Sequence, residues 1–141
     1  MQVYFAGPYQ WKERIEKYAQ QFTEVLGVGV TSTWLNESHA PTVQLADVPF
    51  DDNVKYALQD MRDIDRADAF VLFAVPATDT PIPRAGRHVE FGYALAKGLP
   101  IYVVGLEKEN IFHYLPEQVT HFATFADLLE FFAKHPRVMG V

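Results

Sequence analysis

The sequence predicts an α/β domain in which a parallel β-sheet carries helices on both faces. Two observations lead there. Short apolar runs alternate with helix-period stripes along the chain, so the connections between strands are helical crossovers, which parallel strands require. The clearest run, Ala69 to Val75, is apolar throughout, as a strand covered on both faces should be.

The elements follow in order. Val3 to Ala6 is a short apolar run closed by Gly7-Pro8, a buried strand ending in a turn. Trp11, Ile15, Tyr18, Phe22 and Val25 recur at three- and four-residue steps and mark one stripe of a helix, with Gly27 as its stop. Val28 to Leu35 reads as a second strand. Residues 36–50, polar and containing Pro41 and Pro49, read as a binding loop or lid. Asp51 or Asp52 is expected to cap a helix whose inner face carries Val54, Ala57, Leu58, Met61 and Ile64.

After the third strand, a second loop from Pro76 to Arg87 leads into a helix over His88 to Lys97, stopped by Gly98 and Pro100. Ile101 to Val104 is a fourth strand, residues 105–117 form a loop, and Val119 to Ala123 is a fifth strand. Thr124 with Asp127 forms a capping box for a last helix bearing Leu128, Leu129 and Phe132.

Composition limits the function. A length of 141 residues fits one domain, 1–141, with a sizeable core. With 18 acidic against 12 basic side chains, the net charge of −6 argues against a nucleic-acid-binding surface. The absence of cysteine excludes disulfides, thiolate zinc sites and a cysteine nucleophile. Met1 to Ala6 is too short for a signal-peptide core, and no apolar run approaches the roughly 20 residues of a membrane span. A cytoplasmic protein with no membrane partner is expected. The histidines show no metal-ligand spacing, so no metal is assigned.

Parallel sheets of this kind bind ligands outside the carboxyl ends of their strands, so functional residues are expected just after residues 6, 35, 75 and 104. Glu90, in the first turn of the helix after the third strand, is expected to stay ionised under the helix dipole and to be available as a nucleophile; the plainer alternative is an acid that only complements the dipole. Arg84, Arg87 and the N–H groups beside Gly86 suit an anion such as phosphate. His88 either contacts that anion or serves the helix start. Asp60 borders the buried face of its helix, whereas Asp63 and Asp65 read as a solvated face and Asp68 as a turn residue. Asn110, after the fourth strand, is within reach of a ligand. Trp34 either packs in the core or stacks on a base. Two carboxylates beside one glycosidic bond are a recurring device for its cleavage.

These residues resemble a family. Tyr4-Phe5-Ala6-Gly7-Pro8, the Asp60 helix before Ala67-Asp68-Ala69-Phe70-Val71, and above all Glu90-Phe91-Gly92-Tyr93-Ala94-Leu95-Ala96-Lys97-Gly98-Leu99-Pro100-Ile101 are similar to the nucleoside 2-deoxyribosyltransferases and the related 2'-deoxynucleoside 5'-monophosphate N-hydrolases. The resemblance implies a flavodoxin-like three-layer α/β/α sandwich on a five-stranded parallel sheet. It implies Glu90 attacking the anomeric carbon, Asp60 holding the sugar or assisting the leaving base, and Tyr4 beside the glutamate. Gly7 and Pro8 would line the substrate site. No cofactor is implied; the partner is a small nucleoside or nucleotide, and homo-oligomers, dimers or larger, share their active sites. Where the transferases carry Asp-x-Gly-Thr before the glutamate helix, this chain has Arg84-Ala85-Gly86-Arg87-His88, a basic segment that points towards a phosphate-bearing substrate. The competing reading is a non-catalytic nucleotide-binding module of the same fold.

Overall fold

Five parallel strands lie in the order β2-β1-β3-β4-β5 in the computed structural model, which describes residues 1–37, 45–76 and 85–135. The strands are β1 (Gln2–Ala6), β2 (Gly29–Val30), β3 (Ala69–Phe73), β4 (Ile101–Val104) and β5 (Val119–Phe122). The helices are α1 (Lys12–Leu26), α2 (Phe50–Asp65), α3 (Gly86–Ala96) and α4 (Phe125–Lys134). Helix α1 packs against α4 and α2 against α3, one layer on each face, as right-handed crossovers in this strand order require. This is the expected flavodoxin-like three-layer sandwich.

Alternation along the strands divides the aromatic core between the faces. Phe5 meets Phe22 of α1 and Phe73 of β3 at ring-centroid distances of 5.3 and 5.4 Å. Its neighbour Tyr4 points to the other face, stacking on Phe70 at 5.5 Å, and Phe70 in turn meets Phe91 of α3 at 6.3 Å. Tyr4 is thereby committed to the α2–α3 side of the sheet, where the site lies. Gly27, at φ 68°, ends α1, and Thr124 and Asp127 form the expected capping box of α4.

Several sequence expectations are corrected. The second strand is two residues long and gives way to a 3-10 turn over Thr33–Asn36, because side chains replace its ladder. Ser32 Oγ accepts from Phe5 N and donates to Phe5 O, and the Trp34 indole donates to that same carbonyl at 2.7 Å. Helix α2 begins at Phe50 with Pro49 at its N-cap, so Asp51 and Asp52 lie in its first turn and do not cap it. Val54 and Leu58 of its expected inner face are 41% and 49% exposed, and Ala57 is exposed as well. Only the far half of α2, with Ile64 buried, rests on the sheet; the near half stands over the carboxyl edge. Val25 of α1 is exposed at the helix end.

Asp63 is fully buried and not solvated. Its carboxylate accepts from Thr33 N at 2.8 Å, Thr33 Oγ1 at 2.6 Å and Arg66, clamping the turn that carries Trp34. Asp65 is exposed and bonded to Tyr93 and Lys97. Asp68 accepts from Gln2 N at 2.8 Å, fixing the start of β1.

Candidate active site

From β1 the chain passes to β2 on one side of the sheet, and from β3 to β4 on the other. The loops after β1 and β3 therefore part and leave a crevice over their carboxyl ends. A cleft of about 440 Å³ occupies it.

Gly7 and Pro8 line the cleft from the exit of β1. A Cβ on Gly7 would lie 2.5 Å from Ile15 Cδ1, so a larger residue there would have to displace the tip of that buried α1 side chain. Glu90 enters from α3. That helix starts at Gly86, two residues before its expected start, which moves Glu90 out of the first turn and weakens the dipole's hold on it. Beneath it the Tyr4 hydroxyl donates a hydrogen bond to Glu90 Oε2. Asp60 enters from α2, and its Oδ1 is buried with no hydrogen-bond partner among the described residues.

The electrostatics correct the expectation of an ionised Glu90. Burial first, and then the neighbouring Asp60, push its carboxyl up to about 8, against the bond from Tyr4, which favours the anion. Burial, then Glu37 and Asp63, push Asp60 up to about 7. Tyr4 is held well above the ordinary phenol range by burial and by Glu90, so it remains a donor. Two acids sharing a partly dry cleft, with no cation paired to either among the described residues, each favour the neutral form.

Trp34 is buried yet also lines the cleft, with Tyr9 tilted towards it at 6.4 Å; Leu45 and Ala57 extend this apolar wall. Ala85, Gly86 and Arg87 also line the cleft. Ala85 holds a left-handed conformation at φ 55°, strain that a non-glycine residue rarely carries away from functional sites. Arg87 Nη2 bonds Glu109 Oε2 at 2.6 Å, and His88 Nε2 approaches the same oxygen at 3.2 Å. Burial works to raise the Glu109 carboxyl, but the bonds from His88 and Arg87 hold it down at about 2.

The structure thus gathers Gly7, Pro8, Asp60, Gly86, Arg87 and Glu90 around the cleft, with Tyr4 under the glutamate. His88 and Asn110 are not among its lining. His88, one residue past Arg87, is rotated about 100° around α3. Asn110 instead caps a 3-10 turn by accepting from Phe112 N at 2.9 Å, and its amide lies 3.3 Å from His88 Nδ1. Arg84 lies outside the described residues. Sequence reasoning missed Glu37, Asn53, Tyr56 and Glu109. Glu37 follows Leu35, where the carboxyl-edge rule already pointed. Asn53 and Tyr56 stand seven and four residues before Asp60, a spacing that shares its helix face. Glu109 lies in the segment after the fourth strand where the same rule pointed, but its pairing with Arg87 had no local signal, since that partner comes from another element.

Among the described residues no helix is long and apolar enough to cross a membrane. Residues 3–131 match the family described as Nucleoside 2-deoxyribosyltransferase. A CMP N-glycosidase of Clostridium botulinum, BcmB, is 19% identical, with 95% of this chain and 99% of that one covered at a TM-score of 0.58. A 2-deoxyribosyltransferase of the psychrotolerant Bacillus psychrosaccharolyticus is also 19% identical, with 92% and 90% covered at a TM-score of 0.67. At that identity the likeness is one of fold. No curated protein matches the chain.

Proposed function

Because the chain belongs to the nucleoside 2-deoxyribosyltransferase family, we propose that it cleaves or transfers the N-glycosidic bond of 2'-deoxynucleosides or their 5'-monophosphates. Glu90 is the nucleophile in this reading and Asp60 its acid–base partner. The observation that supports it best is the meeting of Tyr4, Glu90 and Asp60 at one cleft over the β1–β3 switch point.

Glu90 holds its proton more tightly than Asp60, so the reactive arrangement is the minority one of the pair: one proton shared, Asp60 neutral, Glu90 an anion backed by the Tyr4 hydroxyl. A Glu90 oxygen attacks C1' as the C1'–N bond breaks, and the electron pair leaves with the base, which takes the Asp60 proton. Water or a second base then attacks C1' from the opposite side, gives a proton to Asp60 and releases Glu90. Glu37 and the Glu90 carboxylate favour the positive charge that develops on the sugar ring. The unpartnered Asp60 Oδ1 is an acceptor for a sugar hydroxyl in the bound state. Trp34 and Tyr9 offer aromatic faces to the base.

The enzyme is read as a cytoplasmic homo-oligomer, a dimer or larger, in which neighbouring copies complete each cleft. Exposed Phe50, Val54 and Leu58 on α2 and Val89 on α3 support this, because α2 also lines the cleft. The test is incubation with deoxynucleosides, their 5'-monophosphates and CMP, followed by chromatography for free base. Base release is expected. A folded protein that binds these compounds and releases base from none of them is a binding module, and the enzyme reading fails.

A further inference from the structure

Arg87 is the one cationic side chain among the described residues that line the cleft, and it is already engaged. Its side chain and that of Glu109 are 11% and 13% exposed, and Glu109 is not part of the lining. A single bond, Nη2 to Oε2, joins them, while Arg87 Nε and Glu109 Oε1 are buried without partners among the described residues. The pair is held by charge more than by a full set of hydrogen bonds. The described lining also carries the carboxyls of Glu37, Asp60 and Glu90.

For a substrate with its base against Trp34 and Tyr9 and its anomeric carbon at Glu90, Arg87 is the one cationic side chain of the described lining that the 5' end of its sugar can meet. There, a hydroxyl needs only a hydrogen bond from a guanidinium N–H. A phosphate monoester brings nearly two negative charges. It would meet an arginine whose charge is cancelled from behind, in a cleft whose other charged residues, among those described, are acids.

We propose that Glu109 is a specificity-determining residue: by cancelling the charge of Arg87 it sets this part of the cleft for a sugar with a free 5'-hydroxyl and against a 5'-phosphate. The inference rests on the nucleoside reading above and narrows its substrate class. It turns Arg87 from a phosphate anchor into a neutralised hydrogen-bond donor.

The test compares kcat/KM for a deoxynucleoside and its 5'-monophosphate in the natural protein and in Glu109→Gln, which keeps an acceptor for Arg87 and removes the charge. The natural protein is expected to prefer the nucleoside. Glu109→Gln is expected to raise the monophosphate-to-nucleoside ratio about tenfold, as loss of one unit charge at contact range in a partly dry cleft does. A natural protein that prefers the monophosphate overturns the proposal, even if the variant fails to fold. So does a folded variant whose ratio is unchanged within about twofold.

Calorimetric titration with inorganic phosphate separates this failure from that of the enzyme reading. If no base is released from any substrate, the enzyme reading falls. Phosphate binding about tenfold tighter in Glu109→Gln than in the natural protein then still supports the role of Glu109, and equal binding removes it.

Discussion

Glu90 lines the cleft and Glu109 stands behind its lining residue Arg87; both carry the same carboxyl group, yet the protein drives them in opposite directions. Burial and Asp60 raise Glu90 to about 8, and Tyr4 offsets this only in part. Glu109 is also lifted by burial, but His88 and Arg87 hold it down at about 2. The difference lies in the partner, a second acid in one case and a guanidinium with an imidazole in the other. Burial supplies the leverage and the neighbour decides the sign. In the proposed roles Glu90 and Asp60 form a proton-sharing pair suited to acid–base work, and Glu109 with Arg87 a fixed ion pair suited to shaping specificity.

The largest test of this contrast is Glu90→Ala. Base release should fall by roughly 10³-fold or more while circular dichroism and melting stay native-like. A variant that keeps its activity would remove Glu90 from the chemistry.

Next is Glu109→Ala, which strands a nearly buried arginine. Breaking such a pair from one side should destabilise the fold by about 2–3 kcal/mol in urea titration, somewhat less than for a fully buried pair. A change within about 0.5 kcal/mol would mean that solvent already satisfies Arg87.

The opposite shifts also predict opposite pH slopes. Glu90 and Asp60 are raised in the fold, so their contribution is fully present below the ordinary carboxyl range and is lost as pH rises through about 7 to 8. Glu109 is lowered, so its contribution is present above the ordinary range and is lost as pH falls towards about 2. Glu90→Gln should therefore flatten the alkaline loss and raise Tm at pH 8.5 by roughly 5 °C, with no gain at pH 4.5. An equal gain at both pH values would point to packing instead of ionisation.

The smallest effect is expected from Tyr4→Phe. The hydroxyl favours the Glu90 anion, so its loss moves the acidic limb of the kcat/KM profile to higher pH and lowers activity at pH 7 about tenfold. A drop in activity with the limb unmoved would assign Tyr4 to packing alone.

Much of this protein was legible in one chain of letters. The fully apolar β3 run, the α1 stripe with its glycine stop and the Thr124–Asp127 box are local patterns, and local sterics and hydrogen bonds enforce them. The carboxyl-edge rule located the cleft, and Gly7, Asp60 and Glu90 all line it. Where the reading failed, the deciding partner lay far along the chain. Ser32 and Trp34 ended β2 early by bonding Phe5, and Asp63 was drawn inside by Thr33.

The sequence by itself determined the alternation of strands and helices, hence the parallel sheet and the edge at which chemistry can occur, because periodicity and capping act over a few residues. Only the tertiary structure decided the charge states. Whether a carboxyl meets an acid, as Glu90 does, or an arginine, as Glu109 does, depends on which elements the fold packs side by side, and a Coulomb interaction falls with distance in space, not with separation along the chain.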